Sequence, residues 1–144
     1  MANPFENTMH PLSIEDIEEV EKSLETILPS ALREHYLRHN GGCPKKYLYR
    51  KDGRVFVVQG FLPMKYGPPG TRFEDKYRNL KEVIPDCLIP FAIDPGGDYY
   101  CVSTRESDCG SMWLYIGEYF DEPDRATLLL CASLQEFLEG MTDE

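Results

Sequence analysis

"IPFAIDPGGDYYCVSTR", Ile89 to Arg105, sets two β-prone runs on either side of Asp94-Pro95-Gly96-Gly97. A paired glycine between aspartates can cradle a phosphate, hold a metal or turn a corner, and each reading implies a different protein. A phosphate loop requires GxxxxGK[ST], and the chain contains no Gly-Lys pair. A calcium loop needs oxygens at alternate positions over a longer stretch. What fits is a four-residue turn with Pro second and Gly third, the type II preference, in which Gly96 takes positive φ. Asp94 and Asp98 are then turn residues first, with surface binding as a second role. "LIPFAI" and "DYYCVS" become an antiparallel pair at the centre of the chain.

Downstream, "SMWLYIGEYF" alternates Met112, Leu114 and Ile116 against Trp113 and Tyr115, so both faces of this strand are partly apolar. One face must meet helices. The other, with Trp113, Tyr115 and Tyr119 beside Glu118, Asp121, Glu122 and Asp124, reads as a partly open aromatic patch rimmed by charge. "TLLLC" is a last strand, and "SLQEFLEGM" carries a capping box, Ser133 with Glu136, before Leu134, Phe137, Leu138 and Met141. The fold is expected to close on that helix.

Upstream, "YLYRKDGRVFVV" places Asp52-Gly53 between β-prone runs, a strong hairpin signal. "KYGPPGTR", Lys65 to Arg72, is a loop, and Phe73, Tyr77, Leu80 and Ile84 recur at helical spacing up to Pro85. Nearer the start, Ser13 precedes Ile14, Ile17, Val20, Leu24 and Ile27, one apolar stripe along a helix that Ser13 caps. Glu15 and Asp16 suit its positive end, and Glu18, Glu19 and Glu21 form an exposed face. "LPSALREHYLRHNGG" is a second helix, started by Pro29 and ended by Asn40, Gly41 and Gly42. The resulting class is α+β: a single domain over residues 13–144, an antiparallel sheet packed with an N-terminal helical hairpin and a C-terminal helix, after an N-terminal tail at residues 1–12.

Composition narrows the function. With 144 residues, 42% hydrophobic and 28% charged, the chain is an ordinary globular protein. No signal peptide or spanning run is read from it, so a cytoplasmic location without a membrane role is expected. Five cysteines form no CxxC pair and are expected to be reduced and mostly buried. The net charge of −10 is uneven: residues 91–144 hold twelve acids against two bases, while residues 41–90 hold ten bases against five acids. Phosphate contacts need clustered Lys and Arg in a recognised motif, so nucleic acid is not expected as a partner; a basic protein is. His35 and His39 have metal-ligand spacing, yet Tyr36 stands where a zincin places glutamate, and no third ligand follows from spacing. No metal, cofactor or catalytic residue is proposed. A thiol hydrolase using Cys109 or Cys101 with His35 or His39 stays open as a minor reading.

The order of these signals resembles the SUKH superfamily, the domain of the fungal cell-wall-synthesis regulators. The likeness runs from Ser13 onward. Its most specific parts are Leu28-Pro29 with Asn40-Gly41-Gly42, and Pro90-Phe91-Ala92 with Asp94, Gly97 and Asp98; "YGPPGTR" and Ser103-Thr104 depart from the pattern. The resemblance implies an α+β domain without catalytic machinery, whose bacterial members mostly act as immunity proteins that bind and neutralise a cognate toxin such as a nuclease or deaminase. A regulatory or scaffold module of the fungal kind is the alternative.

Overall fold

A computed structural model describes residues 3–144. Ser13 caps α1 (Ile14–Leu24) with both halves of a capping box: Asp16 N–H donates to the Ser13 hydroxyl at 3.1 Å, and Ser13 N–H donates to the Asp16 carboxylate at 2.9 Å. The apolar stripe is shorter than its spacing suggests. Ile17, Val20 and Leu24 are buried, whereas Ile14 is exposed and Ile27, beyond the helix end, is 79% exposed. Glu21, assigned to the exposed face, is buried instead, and its carboxylate accepts the Leu28 N–H at 2.8 Å and faces Arg33 at 3.5 Å. It therefore ties the connection between helices to α2 (Ser30–Arg38).

The stretch set apart as a tail is fastened to the body. β1 (Phe5–Glu6) pairs antiparallel with β2 (Cys43–Pro44), Leu12 is buried, and Asn3 exchanges hydrogen bonds with the Lys46 backbone. Asp52 and Gly53, both with positive φ, join β3 (Leu48–Lys51) to β4 (Arg54–Val57) as a tight hairpin. After β5 (Gly60–Phe61) the Lys65 loop leads into α3 (Phe73–Asn79), which ends a turn earlier than its periodicity predicts; residues 80–84 continue as bonded turns.

β6 (Leu88–Ile93) and β7 (Tyr99–Ser103) form the central antiparallel pair, followed by β8 (Met112–Tyr115), the short helix α4 (Pro123–Ala126) and β9 (Thr127–Cys131). With β5 they make a five-stranded sheet in the order β5-β6-β7-β8-β9. Helix α5 (Leu134–Glu139) is not the last element: Met141, expected on its apolar face, starts β10 (Met141–Thr142), which pairs with β3. The capping box at Ser133 is half of what its sequence suggests. Glu136 N–H donates to the Ser133 hydroxyl at 3.1 Å, but the Glu136 carboxylate accepts from Ala132 N–H.

Both faces of the large sheet are covered. One carries the main core, including Ile17, Leu32, Tyr36, Phe91, Tyr100 and Phe137. The other carries a second cluster, where Ile84, Leu88, Cys101, Tyr115 and Ala126 meet. Tyr36 donates its hydroxyl to the Leu62 carbonyl at 2.6 Å, so the largest buried polar side chain is satisfied.

Candidate functional site

The central turn is built differently from the type II form. Gly97 N–H donates to the Asp94 carbonyl at 3.2 Å, and it is Gly97, at φ +95°, that occupies the left-handed region; Gly96 does not. One oxygen of the Asp94 side chain accepts from both Gly96 N–H (3.0 Å) and Asp98 N–H (2.8 Å). The side chain supplies the organisation that a glycine at the third position supplies in a type II turn. Asp98 in turn accepts the Gly117 N–H at 3.0 Å. The two aspartates thus spend their carboxylates on backbone, and Asp98 pins the start of the next turn.

That turn is a 3₁₀ segment, Gly117–Tyr119, running through Phe120 into α4. Glu118, Asp121, Glu122 and Asp124 are all exposed, and Phe120 stands among them 67% exposed. Sequence periodicity did not single out Phe120, because it lies just past the strand where alternation has stopped. The available signal was its position, an aromatic between acids in "GEYFDEPD". Tyr119 is half-buried with the Arg125 guanidinium 3.9 Å from its ring centre, and Arg125 also meets Glu122 at 3.3 Å.

The aromatic residues of β8 do not extend this surface as expected. Tyr115 is buried in the second cluster, donates to the Val83 carbonyl at 3.2 Å, and has its hydroxyl pushed up by that burial. It has no free face for a partner. Trp113 is half-buried: its indole N–H donates to Ser111 at 2.9 Å, and the Arg105 guanidinium lies 5.0 Å from the ring centre. Arg105 is held by a two-pronged contact with Asp108 (3.0 and 2.8 Å), which keeps the Asp108 carboxyl down at about 2. Both bases of the acidic segment, Arg105 and Arg125, are therefore engaged within their own loops. The negative charge of the outer turn is left to face solvent.

The second acidic surface is α1. Lys65 reaches Asp16 and Glu19 at 2.8 Å each, and its contact holds the Asp16 carboxyl at about 2; Glu15, Glu18 and Glu19 are exposed there, Glu19 while paired with Lys65.

His35 and His39 sit with ring centres 5.4 Å apart, and Phe5 stacks on His39 at 4.8 Å. Among the described residues no group of three His, Cys, Asp or Glu is placed to hold a metal. The thiol reading meets an obstacle at Cys101, which is fully buried with its thiol pushed well up by desolvation, whereas a nucleophile needs the thiolate. Cys109 is exposed in the loop before β8.

The chain is thus an α+β domain with a five-stranded antiparallel sheet, helices on its flank and an acidic turn at one corner. The sequence pattern of the SMI1/KNR4 family (SUKH-1) matches residues 11–140, and the chain belongs to that family. Among solved structures, a protein from Pseudomonas syringae pv. tomato is similar at TM-score 0.54 and 18% identity, covering 81% of this chain and 76% of that one. That likeness bears on the fold. No curated protein matches the chain. Among the described residues no helix is long and apolar enough to cross a membrane.

Proposed function

We propose that this chain is a non-catalytic, cytoplasmic protein-binding domain, an immunity protein that binds and neutralises a basic toxin domain such as a nuclease or deaminase. The observation that carries this reading is the corner at residues 117–124, where an exposed phenylalanine is ringed by four exposed carboxylates. An aromatic anchor surrounded by charge of one sign suits a cationic partner, since interface energy concentrates in a few large side chains while rim charge governs encounter. Membership of the SMI1/KNR4 family supports a binding role over a catalytic one.

The test is binding of the full chain to basic toxin domains of the nuclease and deaminase classes, measured with Phe120→Ser and with the triple reversal of Asp121, Glu122 and Asp124 to Lys. The reversal should slow association, and Phe120→Ser should speed dissociation, with melting temperatures unchanged. Unaltered kinetics in both variants would move the binding face to Glu15, Glu18 and Glu19 on α1. A protein that captures host regulators and no toxin would be a module of the fungal kind.

A further inference from the structure

The groove between α2 and α5 shares no residue with the acidic corner. It encloses about 510 Å³, a volume in the range of small-molecule sites. Positions 31, 34, 35 and 38 of α2 fall on one helical face and form a wall of it. Three observations bear on what it holds. First, His35 is 3% exposed, packed against Phe5 and Phe61 at 4.9 and 4.8 Å between ring centres, and its Nε2 has no hydrogen-bond partner. A buried polar atom without a partner leaves the groove wall with an unmet hydrogen bond. Burial also keeps the imidazole neutral, with its pKa near 3, so it offers a hydrogen bond without adding charge. Second, Glu34 and Arg38 lie one turn apart, both exposed, and among the described residues neither enters a salt bridge; Glu139 of α5 adds a second carboxylate to the lining. Third, Leu134 and Leu138, four residues apart on α5, give the groove an apolar side.

A ligand matched to this set carries one positive group, one negative group and a hydrocarbon body. We propose that the groove binds a small zwitterion of the free amino acid class with an apolar side chain: carboxylate on Arg38, ammonium on Glu34 and Glu139, hydrocarbon against Leu134 and Leu138. The binding is independent of the acidic corner and stands or falls apart from toxin neutralisation.

The experiment is an NMR titration of the full chain with L-leucine and L-phenylalanine, and with 4-methylpentanoate and 3-methylbutylamine, which keep the body but carry only one charge. Amide shifts are expected at residues 31–39 and 134–139. The single-charge analogues, and the exposed-site variants Arg38→Gln and Glu34→Gln titrated with L-leucine, should each weaken binding about tenfold or more. Absence of any shift at about 10 mM amino acid, a loss smaller than threefold in Arg38→Gln, or analogues binding as well as leucine would each overturn the assignment.

Discussion

Asp94 organises the central turn through a single carboxylate oxygen, and Gly97 supplies the one left-handed residue the turn needs. A Cβ on Gly97 would meet nothing within 4 Å, so the cost of a side chain there is purely conformational. Gly97→Val is expected to cost about 1–3 kcal/mol, and Gly96→Ala to stay within about 0.5 kcal/mol, read as shifts of the urea midpoint at constant slope. A larger loss at Gly96 than at Gly97 would return the left-handed residue to position 96. His35 makes a second prediction. Desolvation first, then His39 and Arg38, hold its pKa near 3, against 6.5 for a free imidazole. Because the folded value lies below the unfolded one, the unfolded chain takes up the proton first. Stability is full above about pH 6.5 and falls toward pH 3 with a slope approaching about 1.4 kcal/mol per unit. In His35→Phe most of this slope should disappear, leaving the smaller part from His39, whose pKa burial and Arg38 also lower, and the later losses at Asp16 and Asp108, whose carboxyls sit near 2. A wild-type curve flat from pH 6.5 to 4 would contradict it.

At the scale of elements, the link between α1 and α2 depends on one buried carboxylate. Glu21 accepts the Leu28 N–H at 2.8 Å in a buried contact, and it lies 3.5 Å from the Arg33 guanidinium. Glu21→Ala leaves that N–H unpaired and should destabilise by about 1–3 kcal/mol, while Glu21→Gln, which retains an acceptor, should lose less. Chemical denaturation of the two variants decides, and indistinguishable midpoints would remove the cap from the account. Strand β8 shows a comparable dependence on its neighbours. Its alternation is legible, yet both of its faces are apolar, and only the segment 80–88 and Ala126 of α4, laid over the second face, determine that Tyr115 is core.

For the whole molecule, charge separation is the governing property. Glu118, Asp121, Glu122 and Asp124 are exposed at one corner, and both bases of residues 91–144 are engaged locally, so that corner carries a persistent negative field. At about 0.15 M salt the screening length is about 8 Å, so association with a basic partner should slow as ionic strength rises while dissociation changes less. Stopped-flow rates across a salt series measure this, and the triple reversal at 121, 122 and 124 should flatten the dependence. An association rate indifferent to salt in the wild-type protein would place the partner on a neutral surface.

What the sequence by itself determined is what forms within a few residues: the Ser13 N-cap, the Asp52-Gly53 hairpin, the turn at 94–97 joining an antiparallel pair, and the acidic bias of the C-terminal segment. Each depends on spacing or on a sum of charges, and neither needs a distant partner. The family likeness was legible for the same reason, since its motifs sit at such local features. Only the tertiary structure decided the rest. Residues 3–12 are fastened because Cys43 and Pro44 offer β1 an edge, and Met141 leaves α5 because β3 presents a free ladder. Glu21 and Tyr115 are buried, and Trp113 is covered by Arg105, through residues between 7 and 32 positions away. Phe120 is left outside because the chain turns at Gly117, held by Asp98 nineteen residues earlier. Exposure is a property of how elements pack against one another, and the same aromatic residue reads alike in sequence whether it closes a core or faces water.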